Sequence, residues 1–327
     1  MNHPRRRATL TCLAAGLLTA ALPAVSAAAY PDKPIRLVVP FPPGQGADIL
    51  ARLIGQHLAA ALGQPIVVEN KVGAGGIIGT AFAAKAAPDG YTLYMGSSGP
   101  LAIGPHVYKA VGFDTLKDFA PISNIASVTQ VLVTAPASQL ASAKDVVERA
   151  RAQPGMVPFG SAGSGTTSHL TMELFTQMSG ISLSHVPYKG SSTSMIDVMA
   201  GRVPLMFDSL PGVLTNVKSG SLRAIAVVSA QRDPLLPNVP TGAESGVPGF
   251  ATSGWIGLLA PARTPPQIVD QLHTAVAKAL KSEAVKKRMS ELAFTPIGNS
   301  PAEFQTFLSK EVALWGGVAA KAGVQKE

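Results

Sequence analysis

This chain is short of the groups that usually carry chemistry. It has one cysteine in 327 residues, Cys12, and that residue lies in a stretch with the marks of a secretion signal. Arg5, Arg6 and Arg7 form a basic start, Ala8 to Leu22 an apolar run, and Val25 to Ala29 a small-residue cleavage zone, with cleavage expected near Ala27 to Ala29. The apolar run is too short for a comfortable bilayer span. Thr11 stands where a lipoprotein signal wants Gly, Ala or Ser, so lipidation is rejected. Cleavage after Ala29 leaves 298 of the 327 residues and no thiol. The expected product is a periplasmic protein without disulfides, not membrane-inserted once the signal is gone, and held together by its core alone.

Charge is scarce too. Charged residues make up 14% of the chain against 46% hydrophobic, the balance of a compact globule with a sizeable interior. Loss of three signal arginines takes the net charge from +8 to +5. No basic cluster interleaves with aromatics, which excludes nucleic acid as a partner, while the diffuse positive balance suits an anionic ligand. The six histidines show no His-x-His or His-Glu-x-x-His spacing, so no metal is expected. Gly160 and Gly165 have Walker-A spacing, but Thr166 stands where the lysine belongs. Gly73 to Gly79 imitates a dinucleotide fingerprint with its last glycine one residue late. No cofactor is expected. There is no Gly-x-Ser-x-Gly elbow either. A secreted α/β hydrolase using Ser161 or Ser164 remains the rival reading, with His169 and Asp208 the partners that could be assembled around Ser161.

What the chain does have is a glycine- and hydroxyl-rich stretch between a strand and a helix. Met156–Phe159 leads in, and Leu170, Met172, Leu174, Phe175 and Met178 lead out at helical spacing. Between them lie Gly160, Ser161, Ala162, Gly163, Ser164, Gly165, Thr166, Thr167, Ser168 and His169. The glycines permit a tight turn and close approach to bare N–H groups. The helix start adds unpaired donors and the positive end of its dipole, which suits an anion. An ordinary helix cap explains the same residues equally well. A second copy of the pattern favours the ligand. Strand Ile35–Val39 is followed by Phe41, Gly44, Gln45, Gly46, Ala47 and Asp48, then by a helix through Leu50, Leu53, Ile54 and Leu58. Neither loop supplies Lys or Arg, so an anion would be met by neutral donors and dipoles.

The chain resembles the Bug-type solute-binding proteins, the periplasmic receptors of tripartite tricarboxylate transporters. The resemblance rests on Tyr30–Asp48 (YPDKPIRLVVPFPPGQGAD), Val67–Gly79 (VVENKVGAGGIIG), Ala86–Leu93, Lys117–Ser123, His185–Gly190 (HVPYKG) and Met206–Asp208 (MFD). It departs from the family pattern at Gln45, where glycine is usual, and at Lys71-Val72, where Arg-Pro is usual. Gln45 is placed to reach into the cleft and alter ligand choice. The resemblance implies an α/β, two-lobed periplasmic binding protein of type 2, with two hinge connections and a ligand cleft between the lobes. It also implies a small carboxylate ligand, membrane transporter subunits as partners and no enzymatic activity. A monomer is expected. A ligand sensor feeding a signalling kinase is a further alternative.

Strand and helix signals alternate along the mature chain, which argues for parallel α/β layers. A crossing strand is expected at Val128–Val133 and a return at Ser253–Leu259. Lobe 1 is then 30–127 plus 252–327, and lobe 2 is 128–251. A third hydroxyl-bearing loop is expected at Gly96–Pro100, a proline-rich surface excursion at Asp233–Phe250, and three C-terminal amphipathic helices. By role, the loops 41–48 and 161–169 hold one carboxylate from both lobes. Ser97 and Ser98 complete the lobe 1 wall, and Tyr188, Lys189 and Asp208 tune the far end of the ligand.

Overall fold

The computed structural model describes residues 30–324 and Lys326; the signal segment expected at 1–29 lies outside the described residues. In β1 (Ile35–Val39) every side chain but Arg36 is buried. Helix α1 (Gly46–Leu62) sets Leu50, Ile54 and Leu58 against the core and ends at Gly63 in the left-handed conformation that glycine takes without strain. Strand β2 (Ile66–Asn70), helix α2 (Ile77–Ala84) and β3 (Thr92–Ser97) complete a parallel trio with β1 in the middle. Where the sequence suggests a loop after Ser97, a π-helical turn at Gly99–Ile103 runs straight into a short helix, α3 (Gly104–Val107).

Strand β4 (Phe119–Thr134) begins well before the expected Val128 and is mostly buried. Helix α4 (Ala143–Ala152) opens on a reciprocal cap between Ser142 and Asp145. Then come β5 (Pro158–Ser161), α5 (Thr167–Ser179), β6 (Ser184–Pro187), α6 (Ser191–Met199), β7 (Leu205–Ser209), α7 (Leu210–Lys218) and β8 (Arg223–Val228). The proline-rich segment forms neither helix nor strand, as its composition suggests. The chain closes with β9 (Ser253–Pro261), α8 (Pro266–Lys281), α9 (Glu283–Glu291), the two-residue β10 (Thr295–Pro296) and α10 (Pro301–Lys321).

The expectation of parallel layers needs correcting. The strands run in the order β2-β1-β3-β9-β4-β7-β5-β6. The outer trios β1–β3 and β5–β7 are parallel, but β3 with β9, and β4 with β7, β8, β9 and β10, pair antiparallel. Hydrophobic period reports burial, not strand direction, so the sequence could not show this. The long strand β4 pairs with β9 as far as Thr129 and with β7 and β8 from Gln130 onward. One strand thus runs through both halves of a two-lobed molecule. Apolar clusters cover both faces of each half. Leu170 of α5 packs into the cluster around Trp315, and Gln177 donates to the Val318 carbonyl at 2.9 Å, so the lobes touch along one side.

Candidate functional site

A cavity of about 230 Å³ lies where the ends of these elements converge. That is below the roughly 300–1,000 Å³ of sites for drug-sized ligands, so it suits a small solute. From the β1–α1 loop it is lined by Phe41, Gln45, Gly46 and Ala47, and from the end of β3 by Ser97, Ser98 and Gly99. From the β5–α5 loop come Ala162, Thr166, Thr167 and Ser168, and from the end of β7 Asp208, Ser209 and Pro211. Gly75, Val128, Gln130, Ser191, Gly254, Trp255, Ile256 and Phe294 complete the wall. Among the described residues of the wall, Asp208 is the sole charged one.

Two helix starts open onto this space from opposite lobes. Gln45 precedes α1 and Thr166 precedes α5, both with extended backbone, and no side chain caps either helix. The first-turn N–H groups of Gly46, Ala47, Thr167 and Ser168 are therefore left at the wall as donors. Across the cleft, Ser98 Oγ and Thr167 Oγ1 are 3.3 Å apart. Gly165 makes this approach possible: its φ is +70°, and a Cβ there would lie 2.3 Å from the Val107 side chain of the other lobe.

Nine of the expected residues stand behind the wall or off it. Gly44 and Asp48 build the first loop from within. Asp48 is 2% exposed and accepts from the Gly44 N–H at 2.8 Å, from Arg52 Nε and Nη2 at 3.0 and 2.9 Å, and from Asn70 Nδ2 at 2.9 Å. Burial works against its charge, but Arg52, Gly44 and Asn70 outweigh it and hold the carboxyl below the usual range. Ser161 is fully buried; its Oγ lies 2.6 Å from His185 Nε2 and also bonds the Gly163 backbone. Gly163 packs beneath the Tyr188 carbonyl, and Ser164 sits half-buried beside the loop. The Gly165 N–H donates to His169 Nδ1 at 3.1 Å, and His169 stacks on His185 at 3.8 Å between ring centres. Tyr188 donates to Asp197 at 2.7 Å, and Lys189 is exposed to solvent. Thr166 lines the cavity, but its hydroxyl already donates to the Gly163 carbonyl at 2.7 Å.

The hydrolase constellation does not assemble. Ser161 pairs with His185 rather than His169, and neither is on the cavity wall. Burial, then the neighbouring His169, push His185 down to about 3, which keeps it neutral and makes it a feeble base. Ser168, part of the expected loop 161–169, is on the wall, and of the wall residues the sequence missed, Gly99 and Ser209 adjoin residues it singled out. Gln130 had a signal of its own, a long polar side chain beside Thr129 in a strand run that is apolar on either side of the pair. Trp255 packs at 1% exposure and donates from its indole to Glu311 Oε2 at 2.9 Å, which Trp315 also does at 3.0 Å. Phe294 had no local signal, because only the return of the C-terminal chain brings it to the cleft.

Fold and cleft together define a two-lobed solute-binding protein of the periplasmic type. Residues 50–324 match the family model described as tripartite tricarboxylate transporter family receptor. The chain belongs to this family. It is 39% identical over 302 residues to the protein BugT of Bordetella pertussis, covering 92% of this chain and 93% of that one. A solved R. palustris protein with adipate is 38% identical with a TM-score of 0.84, covering 91% of this chain and all (100%) of the other. MatC of Rhodopseudomonas palustris with bound malate is 29% identical with a TM-score of 0.79, covering 88% and 99%.

Proposed function

We propose that this protein is a periplasmic receptor that captures a small dicarboxylate between its lobes and delivers it to the membrane subunits of a tripartite tricarboxylate-type transporter. One observation carries the reading: two uncapped helix starts, one from each lobe, open onto a single small cavity without Lys or Arg on its wall. Such donors and dipoles hold an anion without a counter-charge. The adipate and malate of the two solved relatives support a dicarboxylate. We place the lobe boundaries at 127/128 and 251/252, which β4 supports by changing partners between Thr129 and Gln130. Closure then occurs about these two connections. The burial of Ser161 supports a role without catalysis.

A thermal-shift panel of small carboxylates tests the proposal. A true ligand at about a hundred times its Kd should stabilise the protein by about 2.7 kcal/mol. A panel in which no carboxylate raises the Tm, or an esterase activity abolished by Ser161→Ala, would overturn it.

A narrower prediction concerns Thr167, whose hydroxyl is free apart from the long contact to Ser98. Thr167→Val should cost a hydrogen bond to a charged group, about 1.5–3 kcal/mol. Calorimetry should therefore show affinity weakened roughly ten- to hundredfold. Thr166→Ala should instead lower stability more than affinity, since its hydroxyl is tied to the loop.

A further inference from the structure

We propose that Asp208 meets the ligand as a neutral acid, so that capture of a dicarboxylate takes up one proton from solution. The inference rests on the carboxylate reading above and says how the second carboxylate is held. Asp208 is the last residue but one of β7 and is 7% exposed on the cavity wall. Its Oδ1 accepts the Ser209 N–H at 2.7 Å, while Oδ2 is buried without a hydrogen bond of sound geometry among the described residues, although the Ser191 and Ser209 hydroxyls lie close enough to the carboxyl to favour its charge. A buried oxygen left alone is costly, so Oδ2 marks the place where a ligand atom completes the site.

The cleft offers one carboxylate two sets of neutral donors at the helix starts. The other carboxylate of the same ligand then falls towards Asp208. No Lys or Arg on the wall separates the two groups. Two carboxylates in contact cannot both stay ionised, and they share a proton instead. The proton sits on Oδ2 and is donated to a ligand oxygen, while Oδ1 keeps the Ser209 N–H.

The elements packed around Asp208 supply no compensating charge. β4, alongside through Val131, presents Val131 and Gln130, and β5 has no titratable residue. α6 presents Ser191, and its Asp197 is engaged by Tyr188 and Arg202. His169 and Glu173 of α5 face each other at 3.6 Å. Lys218 lies in the last turn of α7, and Arg223 of β8 is held by the Pro136 carbonyl. Across the cavity, Asp48 is paired with Arg52 behind the wall. Burial pushes the Asp208 carboxyl up to about 6, against the Ser209 N–H and the Ser191 and Ser209 hydroxyls. It therefore accepts a proton readily near neutral pH.

Calorimetry on the mature protein with adipate, malate, hexanoate and 6-aminohexanoate, between about pH 6.5 and 8.5, tests this. All these carboxylic acids are ionised there, well above the usual range near pH 4. For adipate or malate, Kd should rise roughly fifty- to hundredfold across the interval, and about one proton should be taken up per ligand. Heats measured in phosphate and in Tris count that proton. Asp208→Asn, whose amide donates without titrating, should bind with a flat profile and more tightly than wild type at the alkaline end. A flat wild-type profile without proton uptake would overturn the proposal. So would a preference for 6-aminohexanoate that strengthens with pH and is lost in Asp208→Asn, which would make Asp208 an ionised acceptor for an ammonium. Binding of hexanoate or 6-aminohexanoate alone overturns the proposal, and the dicarboxylate with it, but leaves a carboxylate receptor standing. If the wider thermal panel is silent too, both fall.

Discussion

Replacing Trp255 by alanine is expected to cost about 3–5 kcal/mol of folding free energy, the largest loss anticipated for a single residue of the cleft wall. Its ring is 1% exposed and meets Phe304 and Phe307 edge-on at 5.6 and 5.8 Å. Removing it deletes apolar burial and leaves a void that neighbours on a sheet and a long helix cannot collapse to fill. It also takes one of two indole donors from Glu311, whose pKa burial already raises against the pull of both indoles. For a chain of this size the Tm should fall by roughly 5–8 °C. Trp255→Phe keeps most of the volume and loses the N–H, so it should cost about 1–3 kcal/mol. Chemical denaturation of both variants checks this. A loss below about 1 kcal/mol for the alanine variant would show that the ring is not part of the supporting core.

The second large effect has the opposite sign. Asp208→Asn should stabilise the ligand-free protein at alkaline pH by up to about 3 kcal/mol, since each tenfold change in proton affinity on folding is worth roughly 1.4 kcal/mol. The folded carboxyl is raised to about 6 from an ordinary value of 3.8. Below the unfolded value both states are protonated, and the burial of charge costs nothing. As pH rises from about 4 to 6 the unfolded chain loses its proton first, so folding is progressively penalised. Above the folded value the penalty is complete. The variant's advantage should thus be absent near pH 4 and full by about pH 7. Denaturation midpoints across this range decide it; an asparagine variant less stable at pH 8 would show that the carboxylate is compensated in the fold.

The alternation of strand and helix, and the two glycine loops before helices, were legible because each is a local pattern. Strand direction was not. The residues of β4 and β9 read as apolar runs whichever way they pair, and the start of β4 at Phe119 was hidden by Pro121 and by polar Ser123 and Asn124 among its buried positions. The π-helical turn after Ser97 was unreadable for a similar reason, since Gly99 and Pro100 argue against a helix when no tertiary packing is known.

The same division holds within the cleft. The sequence alone determined that two helix starts rich in small residues exist, that neither carries a cation, and which family the chain resembles. Only the tertiary structure decided which atoms of those loops remain free. Asp48 turns inward because Arg52 and Asn70 lie beside it, and the Ser161 hydroxyl is held by a histidine 24 residues away in the chain. Thr167 rather than Thr166 keeps a hydroxyl free of the loop, because the Gly163 carbonyl lies within reach of one and not the other. Chain order shows which donors are near a helix start; how each is satisfied depends on groups brought from elsewhere, and that is decided by packing.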